Sequence, residues 1–164
     1  RHFGVSNQNP MMMELLKTAV KQPLKVNQLQ LSAAFTPSFE AGFHVNMEGP
    51  KAAVRDGSVF EYCRLTDTVI QAWSVLQHGY FKGNFVGKEE FAALNHVLND
   101  LAKKYQVTPT AIALAWVLRY PGKMQAVIGT TKPQHVLEAG KAAEVTLTRK
   151  EWYQIYLAAG NDLP

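Results

Sequence analysis

Four short stretches carry residue types able to hold a ligand. They are Ser6-Asn7, Gln28 beside Asn27, Trp73-Ser74 with Leu76 close behind, and Gly129-Thr130-Thr131. Hydroxyls and carboxamides can both donate and accept hydrogen bonds. An indole face can stack on a planar ring. A small-residue turn ahead of a helix offers free N–H groups and the positive end of the helix dipole, which favours phosphate. Such a set could hold an amide-bearing ring at one end and phosphates at the other. Each stretch also has a plainer role. Ser6-Asn7 could be a turn, Gln28 a satisfied strand residue, Trp73 a core residue, and Gly129-Thr130-Thr131 a helix cap.

The elements that would position these residues alternate between short apolar strands and amphipathic helices. A strand is predicted over His2–Ser6. Asn9 as N-cap and Pro10 at the first helical position open a helix to about Val20, and Pro23 ends it. A second strand is predicted over Leu24–Ser32. A polar segment with Gly and Pro follows from Ala33 to Gly57, then a helix from about Ser58 to Leu65. The third strand is Val69–Ser74, followed by a loop with Gly79, Gly83 and Gly87. Phe91, Leu94, Leu98, Leu101, Ala102 and Tyr105 mark one face of a helix over Lys88–Tyr105. Thr108-Pro109 caps a helix to about Tyr120, with Ile112, Trp116 and Val117 as core candidates, and Pro121-Gly122 stops it. The fourth strand is predicted over Gln125–Ile128, and Pro133 opens a helix to about Ala142. Thr148 and Glu151 have capping-box spacing. The helix they open has a stripe of Trp152, Ile155, Tyr156 and Ala159 and a C-cap at Gly160.

Four βα units argue for an α/β fold with parallel strands, and they make half of an eight-fold barrel. In such a barrel, function sits at the C-terminal ends of the strands, where all four stretches fall. A half barrel taken as a single domain leaves two edges and an open core face. It should therefore dimerise or require its other half. The chain begins at Arg1 and runs directly into a strand, which reads as a fragment.

Composition narrows the class. The chain has 164 residues, 47% hydrophobic and 18% charged, ordinary for a soluble globular protein. No apolar run approaches the ~20 residues of a membrane span, and no signal pattern opens the chain. The net charge of +4 suits an anionic ligand. The basic residues are scattered, however, which gives little support to nucleic-acid binding. A lone cysteine, Cys63, forms no disulfide framework, so a reducing cytoplasmic home is expected. Cys63 itself reads as a small buried apolar residue. His2, His44, His78, His96 and His135 are dispersed, without metal-ligand spacing.

Five phrases occur in order: Phe3-Gly4-Val5-Ser6-Asn7; Val26-Asn27-Gln28; Gln71-Ala72-Trp73-Ser74; Thr108-Pro109 through Ala115-Trp116-Val117-Leu118-Arg119; and Val127-Ile128-Gly129-Thr130-Thr131. Together they resemble the aldo-keto reductase family over essentially the whole chain. The ending, from Leu147-Thr148 through Trp152 and Tyr153 to Pro164, is similar to a bacterial oxidoreductase subgroup of it. The resemblance implies the C-terminal half of a TIM (β/α)8 barrel and binding of NADP(H), with NAD(H) as the other possibility. Ser6, Asn7 and Gln28 match positions that hydrogen-bond the nicotinamide carboxamide. Trp73 matches the aromatic residue stacked under that ring. Ser74 and Leu76 match positions beside the pyrophosphate, and Gly129, Thr130 and Thr131 match the turn that meets the adenosine 2′-phosphate. Members that prefer NADPH often have lysine at the position of Gly129 and arginine at that of His135. Here Lys132 is the nearby charge. Ala139 replaces an asparagine that contacts adenine, while Glu138 remains one position earlier.

The family's proton-donating tyrosine and its lysine, aspartate and histidine partners belong to the other half of the barrel. No catalytic residue is therefore assigned in this chain. Tyr62, Tyr105, Tyr120, Tyr153 and Tyr156 lie outside the family's donor context, as does Tyr80, which could line a substrate pocket on the loop after the third strand. The expected role is an oxidoreductase for aldehyde or ketone carbonyls, with this chain supplying the cofactor-binding half. The alternative is a non-catalytic nucleotide-binding or self-associating half-barrel module.

Overall fold

Hydrogen bonds join four strands in the order in which they occur along the chain. They are β1 (Phe3–Ser6), β2 (Leu24–Gln30), β3 (Val69–Trp73) and β4 (Met124–Ala126), all parallel. The computed structural model describes residues 2–38, 59–79 and 82–162. Between and after the strands come α1 (Pro10–Ala19), α2 (Val59–Leu65), α3 (Ala92–Tyr105), α4 (Pro109–Leu118), α5 (Pro133–Gly140) and α6 (Arg149–Ala158). A 3-10 turn, Glu89–Phe91, leads into α3, and another, Lys141–Glu144, follows α5.

The register places Ser6, Gln28, Gln71 and Gln125 side by side across the sheet. Because strand side chains alternate between faces, Gln30 and Trp73 form the next row on that same face. The other face is apolar. Leu29, Leu31, Ile70 and Ala72 join one buried cluster with Phe60, Cys63, Leu94, Leu98, Ile112, Trp116, Ile155 and Tyr156. The sheet thus has a helix-packed apolar side and a side rich in carboxamides.

Local chemistry explains the helix starts. Asn9 Oδ1 accepts from Met12 N at 2.9 Å, and Thr108 Oγ1 accepts from Ala111 N at 3.2 Å. In each case the cap satisfies an N–H that has no helical partner. Thr148 and Glu151 close the expected capping box at α6. Gly160, just past that helix, has φ +84°, the left-handed geometry that glycine adopts at low cost.

Several boundaries differ from expectation. β2 stops at Gln30, because Ser32 bonds antiparallel to Phe35 instead of extending the ladder. β4 starts one residue early and ends at Ala126, so Ile128 lies outside it. The helix expected from Lys88 begins as a 3-10 turn and becomes α-helical at Ala92. α4 buries seven consecutive residues, Ala111–Val117, not only the three core candidates. A helix apolar all round is buried all round, and α4 is flanked by α3, α5, β4 and the turn at Lys141–Glu144. Most of the long polar segment, the predicted helix start at Ser58, and Tyr80 lie outside the described residues.

Candidate functional site

Two residues one step beyond strand ends adopt the left-handed conformation: Asn7 at φ 54° after β1 and Ser74 at φ 52° after β3. Few non-glycine residues do so without a local reason. Each turns the chain sharply out of the sheet at the end where the polar residues collect. The Gln28 carbonyl ties this corner down. It accepts from Asn7 N at 2.9 Å and from the Ser6 hydroxyl at 3.4 Å. The buried Asn27 holds the turn from behind, donating to the Gln8 carbonyl at 2.8 Å and accepting from Gln8 N at 3.4 Å. Its neighbour in sequence, Gln28, points to the opposite face.

On that face the carboxamides are chained. Gln28 Nε2 donates to Gln71 Oε1 at 2.8 Å, and Gln71 Nε2 donates to Gln125 Oε1 at 2.9 Å. Each bond contributes about 1 kcal/mol net. An amide left unpaired in a half-buried sheet would cost roughly 1–3 kcal/mol. The next row is different. Gln30 is buried, yet its Nε2 has no acceptor. It lines a recess of about 470 Å³ with Asn7, Leu29, Phe35, Ser38 and Trp73. A buried donor without an acceptor, beside an indole and an asparagine, fits a ligand that brings an oxygen or ring-nitrogen acceptor to this recess. Trp73 is half-buried.

The loop after β3 packs back on the structure. Leu76 accepts from Phe85 N at 3.0 Å through its carbonyl, and Gln77 accepts from the Ser32 hydroxyl through its own. The side chain of Leu76 rests against the apolar cluster. Gly129, Thr130, Thr131 and Lys132 form the approach to α5. Thr130 Oγ1 accepts from Lys132 N at 3.2 Å and lies 3.3 Å from His135 Nδ1. Lys132 is the N-cap of α5 and makes no side-chain cap bond, while Pro133 occupies the first turn. Pro133 has no N–H, and those of His135 and Val136 bond the Lys132 carbonyl at 3.1 and 3.3 Å, which leaves the Gln134 N–H as the first-turn donor outside the helix's own bonds. Glu138, one turn on, accepts from Gln134 Nε2 at 3.1 Å.

The structure thus gathers Ser6, Asn7, Gln28 and Trp73 at one end of the sheet and continues through Ser74 to Leu76. The residues from Gly129 to Glu138 follow the C-terminal end of β4, which runs parallel to the other three strands. Sequence reading missed Gln30, Gln71 and Gln125. Their signal was present: glutamines at alternate positions of strands that, in a parallel sheet, are usually apolar on both faces.

Other groups lie elsewhere. Glu151 is held well below the usual carboxylate range, at about 2. Burial works against its charge, but Lys104, the Thr148 backbone and hydroxyl, and Tyr105 outweigh it. This cluster caps α6. Burial pushes the Cys63 thiol up to about 11, which makes it inert. A larger surface depression, about 580 Å³, lies along the end of α3 and contains none of the strand-end residues. Among the described residues no three of His, Cys, Asp or Glu gather closely enough to hold a metal ion, and no helix is long and apolar enough to cross a membrane.

The sequence model described as the aldo/keto reductase family matches residues 1–158. A 6-dehydroglucose reductase of Agrobacterium fabrum is 32% identical over 162 residues, which cover 98% of this chain and 47% of that protein. Oxidoreductase YdhF of Escherichia coli is 29% identical, covering 100% of this chain and 49% of its own length. The chain spans about half the length of the curated relatives it matches. Two solved structures share the fold. A thermostable aldo-keto reductase, solved with the inhibitor epalrestat, matches with a TM-score of 0.68 at 22% identity, over 96% of this chain and 48% of that one. An aldo-keto reductase complexed with NADPH matches with a TM-score of 0.65 at 17% identity, over 96% of this chain and 42% of that one.

Proposed function

The chain belongs to the aldo/keto reductase family, and from that premise we propose that it is the cofactor-holding half of an NADP(H)-dependent reductase of aldehyde or ketone carbonyls. In this reading the four parallel strands are the C-terminal half of a (β/α)8 barrel. The observation that carries it is the recess at the strand ends, where Asn7 and Trp73 meet the unsatisfied amide of Gln30.

Each residue then has a task. Ser6, Asn7 and Gln28 fix the carboxamide of a nicotinamide ring, which decides the face that meets the substrate. Trp73 supplies the platform on which the ring stacks. Ser74 and the backbone N–H of Leu76 serve the pyrophosphate. Gly129, Thr130 and Thr131 present hydroxyls and backbone N–H groups to a 2′-phosphate, with Lys132 and His135 at the same helix start. Glu138 lies on the adenine side. A bound reduced nicotinamide supplies the hydride. The protein's part is orientation and exclusion of water.

Reducing a carbonyl also needs an acid for the oxygen. Ser6, Asn7, Gln28, Trp73 and Ser74 include no group that gives up a proton near neutral pH. The acid must come from outside this set, supplied by the other half of the barrel. That half would also pair the edges of β1 and β4; a second copy of this chain is the other way to cover them. NAD(H) is the competing cofactor, since Gly129 and His135 stand where a lysine and an arginine would add charge. The test is titration of this chain with NADPH and NADH, followed by tryptophan fluorescence, and then, for the protein as its gene encodes it, consumption of NADPH with a panel of aldehydes and ketones. Saturable quenching with carbonyl-dependent oxidation supports the reading. No binding of either nucleotide refutes it.

A further inference from the structure

All three arginines among the described residues, Arg64, Arg119 and Arg149, line one recess of about 350 Å³. They come from the last turn of α2, the C-terminal end of α4 and the first position of α6. The adjoining turn from Tyr120 leads into the start of β4, where Ile70 N donates to the Lys123 carbonyl at 2.8 Å. Asn7 and Trp73 stand at the C-terminal ends of β1 and β3. The arginine recess therefore lies at the opposite end of the sheet from the candidate site.

Each guanidinium is placed by a contact of its own. Arg119 Nε donates to the Leu147 carbonyl at 2.9 Å. Arg64 bonds to the Tyr120 hydroxyl, which burial and the nearby Glu61 keep protonated. Arg149 lies over the Tyr153 ring, 5.7 Å from its centroid. A guanidinium carries five N–H groups, and these contacts leave most of them unspent. Among the described residues none of the three forms an ion pair, whereas Lys17, Lys104 and Lys123 pair with Glu14, Glu151 and Asp67. Glu61 is the one carboxylate lining the recess. Three cations around one carboxylate repel one another, and an anion between them offsets that cost.

We propose that this recess binds a small phosphate ester carrying hydroxyl groups. Arginine forks match phosphate oxygens with paired N–H bonds. The volume falls at the low end of the roughly 300–1,000 Å³ of small-molecule pockets. Trp152 already stacks on Trp116 and Tyr156, and Arg149 takes a face of Tyr153, which argues against a stacked base. Glu61 can only accept, so it suits ligand hydroxyls and disfavours a second anionic group. The inference stands independently of the cofactor reading.

The test uses the protein as its gene encodes it, with glycerol 3-phosphate, inorganic phosphate and malonate as probes at constant ionic strength. Isothermal titration is run on wild type, Arg64→Gln, Arg149→Gln and Lys150→Gln. Lys150 is exposed, adjoins Arg149 and lies outside the recess, so it controls for net charge. Wild type should bind glycerol 3-phosphate saturably, and more tightly than malonate. Arg64→Gln and Arg149→Gln should each weaken it about ten-fold, the loss of one charge-assisted bond. Lys150→Gln should leave it unchanged, and NADPH affinity should be the same in all four. If one arginine variant fails to fold, the other decides. The proposal is overturned by no saturable binding of glycerol 3-phosphate or phosphate, or by tighter binding of malonate. An equal loss in Lys150→Gln also overturns it, since net charge alone would then attract the anion. So does phosphate binding that both arginine variants leave intact, which would move the anion to the strand-end site.

Discussion

Trp116 and Trp152 donate to each other's backbone. The Trp116 indole N–H bonds to the Trp152 carbonyl at 3.1 Å, and the Trp152 indole N–H bonds to the Trp116 carbonyl at 3.0 Å. Their rings stack with centroids 4.8 Å apart and planes 10° from parallel. Trp116 lies in the last turn of α4, where carbonyls lose their helical donors. The Trp152 indole supplies one, and so fastens α6 to the most buried helix of the chain. Trp152→Phe should therefore destabilise by roughly 1–3 kcal/mol, through a lost bond and a poorly satisfied carbonyl. That corresponds to about 2–4 °C in Tm per kcal/mol at this size. Thermal unfolding followed by circular dichroism checks it. An unchanged Tm would mean that the reciprocal bonds add nothing to the packing.

Glu151 should make stability depend on acid. Its pKa falls from 4.5 to about 2 on folding. A carboxyl depressed in the folded state stabilises fully above its unfolded value, because the unfolded chain takes up the proton first. That contribution is complete above about pH 4.5 and is lost as pH falls toward about 2. Glu151→Gln should lower Tm at pH 7 and flatten its fall across this window. Parallel melting curves for the two proteins between pH 7 and pH 2 would contradict the assignment.

Trp73 separates the two roles an indole can have. As a stacking platform, its replacement by alanine should weaken nicotinamide nucleotide binding by about ten-fold or more, from roughly 1–3 kcal/mol of lost stacking. The half-buried position implies a smaller loss of stability than a core tryptophan would give. Isothermal titration and a melting curve on the same sample read both quantities. Unfolding with nucleotide affinity intact would assign Trp73 to the core.

Charge can be added at the start of α5. A Cβ built on Gly129 meets nothing within 4 Å, and the backbone there is not left-handed, so a side chain is admitted without strain. Gly129→Lys combined with His135→Arg should raise affinity for NADPH relative to NADH by roughly ten-fold, through charge-assisted bonds to the 2′-phosphate. The measurement is the ratio of the two dissociation constants at low and high salt. A ratio that does not move would place the 2′-phosphate elsewhere.

The 164 residues by themselves should reduce no carbonyl above background, since the acid is expected from elsewhere. Purified chain, freed of host reductases, is assayed for NADPH oxidation with an aldehyde. Turnover that survives purification would show that a group within the chain serves as the acid.

The elements were legible where local chemistry decides them. Asn9-Pro10, Thr108-Pro109 and the Thr148–Glu151 box each announced a helix start that the structure confirms. The apolar stripes of α3 and α6 identified their buried faces. Strand ends were less legible. Ser32 and Ile128 have strand-like neighbours, yet both lie outside the ladder: Ser32 pairs with Phe35 three residues on, and β4 ends at Ala126. The strand-end residues were readable as a set from their types and order along the chain.

Sequence alone determined the alternation of elements, the caps, the parallel arrangement and the family phrases, because these depend on spacing within a few residues. Tertiary structure decided which polar side chains meet. Gln28, Gln71 and Gln125 come from three strands separated by 43 and 54 residues. Nothing local requires their amides to join end to end. Parallel register brings them into one row, and a shift of one residue in any strand would send its glutamine to the opposite face.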